Sequence, residues 1–156
     1  MIKFLYYLRT YLVSMEILAI VISCSVFYLF EGALAGVIDI KSINEDALKW
    51  AALFPVTLTI WTFKEATGVI FPDEKSSKLL HQWPDYWKLK AHFNIGIANS
   101  VVFVLPCLIV WLLGYLNSTA GVWIFLTFSI ANSINTLSFY LAKISIKSIL
   151  LKSEQT

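Results

Sequence analysis

Four long apolar stretches, each close to the length that crosses a lipid bilayer, decide what this chain can fold into. They run from about Tyr11 to Phe30, Ile43 to Phe63, Phe93 to Leu116, and Val122 to Ala142. A helix rising 1.5 Å per residue needs ~20 residues to cross ~30 Å of hydrocarbon. The first, third and fourth stretches meet that length directly. A soluble domain has no means of hiding so much apolar surface. The chain is 58% hydrophobic and 14% charged, with a mean hydropathy of +0.73, against roughly 25% charged residues in ordinary globular proteins. Its 11 Phe, 7 Tyr and 6 Trp, with a net charge of +2, exclude intrinsic disorder and a strongly basic nucleic-acid binder. The expected fold class is all-α: a polytopic membrane protein with four transmembrane helices, a single membrane domain and a loop over about 64–92.

The second stretch is the shortest. Only 14 uncharged residues separate Lys49 from Lys64, about 21 Å of helix. Snorkelling of both lysines extends the span to Ile43–Phe63. Ser42-Ile43-Asn44-Glu45 has the form of a capping box at its start, and Pro72 sets a limit to any continuation through Glu65 and Phe71.

Charge placement sets the expected topology. Ten basic residues (Lys3, Arg9, Lys64, Lys75, Lys78, Lys88, Lys90, Lys143, Lys147, Lys152) fall on one side, and only Lys41 and Lys49 fall on the other. The positive-inside bias then puts both termini and the 64–92 loop in the cytoplasm. The opposite loop carries Glu31, Asp39, Glu45 and Asp46. A cleaved signal peptide competes for the first stretch, since Ala33-Leu34-Ala35 has cleavage-site form. The 19 residues from Leu12 to Phe30 exceed the 7–15 of a signal-peptide core, so retention as a membrane helix is expected. Asn117-Ser118-Thr119 has sequon form, but it lies in a tight turn from Gly114 to Gly121 against the membrane.

Three groups of residues are candidates for function. Glu16 is a carboxylate inside a span, which by default marks a functional position. Its plainer role is an interhelical ion pair with Lys143 or Lys147, and its sharper role is proton or cation handling. Ser129, Asn132, Ser133, Thr136 and Tyr140, with Asn135 at the border, form a polar stripe on the fourth span. Such a stripe faces protein or water rather than lipid, either as interhelical glue met by Asn99 and Ser100 or as the lining of an oligomeric pore. The third group is the loop segment ending in Trp83-Pro84-Asp85-Tyr86-Trp87-Lys88-Leu89-Lys90. Trp and Tyr beside Lys make interfacial anchors, and the same types make docking hot spots. We take Trp83, Asp85, Tyr86, Trp87, Lys88 and Lys90 as the partner-docking set.

The remaining chemistry-bearing residues are isolated. Cys24 and Cys107 lie in apolar runs and read as small buried hydrophobes. His81 and His92 stand eleven residues apart, which does not make a metal site, and neither is placed for haem. No Ser/His/Asp set, phosphate loop or carboxylate pair is present. The chain therefore reads as no enzyme, with no cofactor and no directly bound nucleic acid.

Among small four-span proteins, the disulfide-forming quinone reductases need paired cysteines, and the four-helix cytochromes need histidines in their spans. In its arrangement of spans, loop and charge the chain resembles the four-span membrane subunit of the Kiwa antiphage defence system. That resemblance implies a homo-oligomer in the bacterial inner membrane that recruits a soluble cytoplasmic effector in antiviral defence. The residues themselves lead to a non-enzymatic assembly subunit that docks a cytoplasmic partner. Two other classes stand beside it: an oligomeric ion channel or small transporter using Asn132, Thr136 and Glu16, and a membrane immunity or exclusion protein using Asp39, Glu45 and Asp46.

Overall fold

The computed structural model describes residues 6, 10–11, 14–37, 50–70 and 83–153. Within them the chain is helical, without strands. Helix α1 spans Met15–Val37, α2 Leu53–Ile70, α3 Tyr86–Leu112 and α4 Thr119–Ser153, with a short 3-10 turn at Tyr115–Asn117. Three segments, Met15–Ala33, Tyr86–Leu112 and Thr119–Ile149, are long and apolar enough to cross a membrane. The protein is an integral membrane protein.

Helix boundaries differ from the expected spans where polar contacts outweigh apolar length. The second helix continues beyond the expected end at Phe63 to Ile70, because Lys64 and Glu65 do not end it. Glu65 is buried against an ion pair, and Ala66, Val69 and Ile70 continue the core beyond it. The capping box at Ser42 lies outside the described residues. Helix α3 starts at Tyr86 rather than Phe93, one residue after Asp85, whose backbone carbonyl accepts the Lys88 and Leu89 N–H groups. Pro84 just precedes that first turn, where its missing N–H costs no helical hydrogen bond. Helix α4 runs eleven residues past Ala142, and α1 bends at Phe30, which has non-helical dihedrals.

Cross-helix hydrogen bonds fix the directions. Asn135 meets Gly96 and Asn132 meets Ser100, so α3 and α4 are antiparallel. Ser23 meets Thr127, with Glu16 and Ser138 on one shared cavity further along, so α1 is antiparallel to α4. Asn132 meets Thr59, Thr136 meets Thr62 and Lys143 meets Glu65, so α2 runs parallel to α4. The four helices thus alternate in direction. The long α4 is the central member, packing on α1, α2 and α3, while α2 also packs on α3.

The α3–α4 turn has its own chemistry. Gly114 adopts φ +70°, which an L side chain resists. Ser118 caps α4 by accepting the Gly121 N–H at 3.0 Å. Position 121 is held to glycine because a Cβ there would collide with the Tyr115 carbonyl. Two apolar clusters close the ends of the bundle. One joins Ala66, Val69, Ile70 and Phe139, and the other joins Cys107, Val110, Leu116 and Phe125. Between them lies a polar seam, while Ile60, Leu105, Ile109, Ile130, Leu137 and Leu141 face outward. Small and polar contacts inside with large aliphatics outside is the pattern expected of helices packed in lipid.

Candidate functional site

The polar stripe of the fourth span is the seam. Asn132 is fully buried, and it joins three helices. Its Nδ2 donates to the Pro55 carbonyl at 3.2 Å and to Thr59 Oγ1 at 3.0 Å, while Oδ1 accepts from Ser100 Oγ at 2.9 Å. Thr136 shares a hydrogen bond of 2.7 Å with Thr62. Asn135 donates to the Gly96 carbonyl at 2.8 Å, an approach that only glycine permits, because a Cβ on Gly96 would sit 2.5 Å from the Phe139 ring. Ser129 is buried beside the Cys107 thiol, and Ser133 turns back to the Ser129 carbonyl. Tyr140, expected on the same stripe, faces outward at 42% exposure. Of the two residues expected to meet the stripe from α3, Ser100 does so and Asn99 does not hydrogen-bond to it.

Lys143 does not pair with Glu16. Its Nζ lies 2.9 Å from Glu65 Oε2, and Trp61 Nε1 donates to Oε1 of the same carboxylate at 3.1 Å. Gly68, one turn further along α2, leaves the space for the lysine stem: a Cβ there would be 3.0 Å from Lys143 Cε. The span expected over 43–63 stops short of Glu65, which enters the sequence reading only in a continuation toward Phe71. The signal that could have found this pair is the spacing of Glu65 and Gly68 on one helical face, a carboxylate next to a notch.

Among the described residues no cation pairs with Glu16. It is 6% exposed and is the only buried residue of α1 among those described. Among the described residues no hydrogen bond or ion pair reaches its carboxylate. It lines a half-open cavity of about 740 Å³ between α1, α3 and α4, together with Ser14, Met15, His92, Phe93, Asn99, Asn135 and Phe139. Asn99 is 2% exposed, and its Oδ1 has no hydrogen-bond partner among the described residues. Two buried acceptors therefore open onto one space, and among the described residues neither receives a hydrogen bond. Asn99 entered the sequence reading only as glue, because an unsatisfied oxygen becomes visible only once its neighbours are placed.

The docking residues gather at the start of α3. Trp83 is 44% exposed, Asp85 and Lys90 are exposed, and Tyr86, Trp87 and Lys88 are half-buried. Lys88 pairs with Asp85 at 2.7 Å and lies 5.9 Å from the Trp87 ring centre. Tyr6 packs edge-on against Trp87, with ring centres 5.0 Å apart, and its hydroxyl lies 3.0 Å from His92 Nε2. The set thus divides into an outward part (Trp83, Asp85, Lys90) and a half-buried part (Tyr86, Trp87, Lys88), of which Trp87 meets Tyr6. Among the described residues no three His, Cys, Asp or Glu side chains gather as metal ligands. Asp39, Glu45, Asp46 and His81 lie outside the described residues.

No protein-family model, curated protein or solved structure matches the chain.

Proposed function

We propose that the protein is a non-enzymatic assembly subunit of a membrane complex, with four spans, that docks a soluble cytoplasmic protein at the start of α3. The observation that carries this reading is the outward set of Trp83, Asp85 and Lys90, an aromatic side chain between charges of both signs at the end of the bundle. Such a combination suits a hot spot with a polar rim. In this reading α2 is the fourth span. Its 18 residues cover about 27 Å at 1.5 Å per residue, it lies alongside α4, and its direction alternates with that of α1 and α3. The positive-inside bias then places both termini and the 71–82 connection in the cytoplasm. The resemblance to the Kiwa membrane subunit extends the proposal to a bacterial inner membrane and antiphage defence.

The surface assigned to contact between copies is the outer face of α1. Leu18, Val21, Ile22, Tyr28 and Leu29 are all more than half exposed, whereas the polar stripe is engaged within the chain. The test is the native mass of the full-length protein extracted gently from its own host membrane. A homo-oligomer carrying a soluble protein at fixed stoichiometry is expected, and Trp83→Ala should release that protein without changing membrane insertion. A bare oligomer, or a complex unaffected by Trp83→Ala, would overturn the docking role.

A second reading, a small transporter, is favoured by the unpaired Glu16 carboxylate in its cavity. It predicts that flux through liposomes carrying the protein is lost in Glu16→Gln while the native mass is unchanged.

A further inference from the structure

The cavity beside α1 has the chemistry of a binding site. A buried carboxylate with no counter-charge is among the costliest arrangements in a membrane protein. The Glu16 carboxylate has no partner among the described residues, and no lysine or arginine of those residues lines the cavity. The second, independent observation is Asn99 Oδ1, buried and without a donor on the same cavity. Asn135 also lines the cavity, with its amide nitrogen donating to the Gly96 carbonyl. Both unpartnered groups, the Glu16 carboxylate and Asn99 Oδ1, call for a donor, and the carboxylate calls for positive charge.

The remaining walls decide what kind of cation fits. About 740 Å³ is the size of a small-molecule pocket and many times the ~30 Å³ share of one water. A bare metal ion would need about six oxygens in close array, and no such cluster exists among the described residues. Met15, Leu89, Phe93 and Phe139 instead supply an apolar lining with two aromatic rings, which suits an alkyl chain and attracts an adjacent ammonium group.

We propose that this cavity binds an organic ammonium ion, with the Glu16 carboxylate as its counter-ion and Asn99 Oδ1 as a hydrogen-bond acceptor. Phe93 and Phe139 enclose the alkyl part. The site needs only the helical bundle described above and is independent of the docking role. The ammonium group has two sources, a free amine or the ethanolamine headgroup of a neighbouring lipid.

The test uses the full-length protein in nanodiscs of phosphatidylcholine, titrated calorimetrically with hexylammonium chloride and, in parallel, with hexanol. Hexylammonium is expected to bind at least about tenfold more tightly than hexanol, since the two differ only in the group that meets Glu16. Glu16→Gln should abolish that preference, and Asn99→Leu should weaken hexylammonium binding several-fold. Equal binding of hexylammonium and hexanol by the wild-type protein would overturn the proposal even if neither variant folds. A preference retained in Glu16→Gln would overturn it as well. Repeating the titration with phosphatidylethanolamine in the nanodisc identifies the source. A weakened apparent affinity upholds the site as a lipid-headgroup site, and an unchanged one upholds it as a site for free amines.

Discussion

Asn132→Leu tests whether the polar seam holds the bundle together. Leucine keeps the branched shape of asparagine with two methyl groups in place of the amide oxygen and nitrogen, so the change removes hydrogen bonds and leaves no cavity, with some overpacking added. Three bonds are lost, to the Pro55 carbonyl, Thr59 Oγ1 and Ser100 Oγ. Interhelical hydrogen bonds in membrane proteins average about 0.6 kcal/mol each and reach about 1.7, which sets the loss at about 2 kcal/mol and its ceiling near 5. The groups left behind keep the figure toward the lower end. The Pro55 carbonyl still accepts from Thr59 at 3.0 Å, so it is not orphaned, and Ser100 alone loses its acceptor. The assay is the unfolding free energy of the full-length protein in mixed micelles, with Leu137→Ala as a lipid-facing control because Leu137 is 52% exposed. A loss below about 0.5 kcal/mol, within the range of ordinary surface substitutions, would refute the seam as a source of stability. Conductance measured on the same variant separates the channel class: a pore through the stripe requires altered conductance at unaltered stability.

Gly96→Ala places a methyl group 2.5 Å from the Phe139 ring and should destabilise by about 1–3 kcal/mol through overpacking. Adding Phe139→Leu should recover part of that loss, and strict additivity in the double-mutant cycle would show that the two sites do not touch. Lys143→Met leaves the Glu65 carboxylate 8% exposed with Trp61 as its remaining side-chain donor. Breaking a fully buried pair costs about 3–5 kcal/mol, and the 41% exposure of Lys143 lowers the expected loss to about 1–3. Glu65→Gln combined with Lys143→Met should be milder than Lys143→Met alone, as measured by unfolding in the same micelles. A double variant worse than the single one would mean that the carboxylate is stabilised by something other than Lys143.

Hydropathy made three of the spans legible because lipid leaves few alternatives to a long apolar helix. The α3–α4 turn was equally legible, since Gly114 and Gly121 mark its two ends and Ser118 has the chemistry of a cap. The end of α2 was less so. Hydropathy stops at Phe63, and only the Glu65–Lys143 pair and the buried Ala66, Val69 and Ile70 carry the helix on to Ile70. The seam was visible as a stripe on α4, but its role depends on what stands opposite. Thr59 and Thr62 on α2 are ordinary residues in the sequence, and only the parallel packing of α2 on α4 turns them into partners.

The pairing of Lys143 shows why depth alone does not assign a charge partner. Glu16 and Glu65 both lie on helices packed against α4, toward the same end of the bundle, and either carboxylate satisfies a lysine by charge. What selects Glu65 is shape. Gly68 lies three residues beyond it and leaves a notch in which the Lys143 stem rests, within about 3.0–3.3 Å of where a Cβ would be. An aliphatic stem resting along a helix positions its terminal charge, here within 2.9 Å of Glu65. Lys143 is therefore committed to α2, and the α1 carboxylate is left facing the space between α1, α3 and α4. A glycine on a different helix thus settles where Lys143 goes, and Glu16, unpaired among the described residues, gives the cavity its charge.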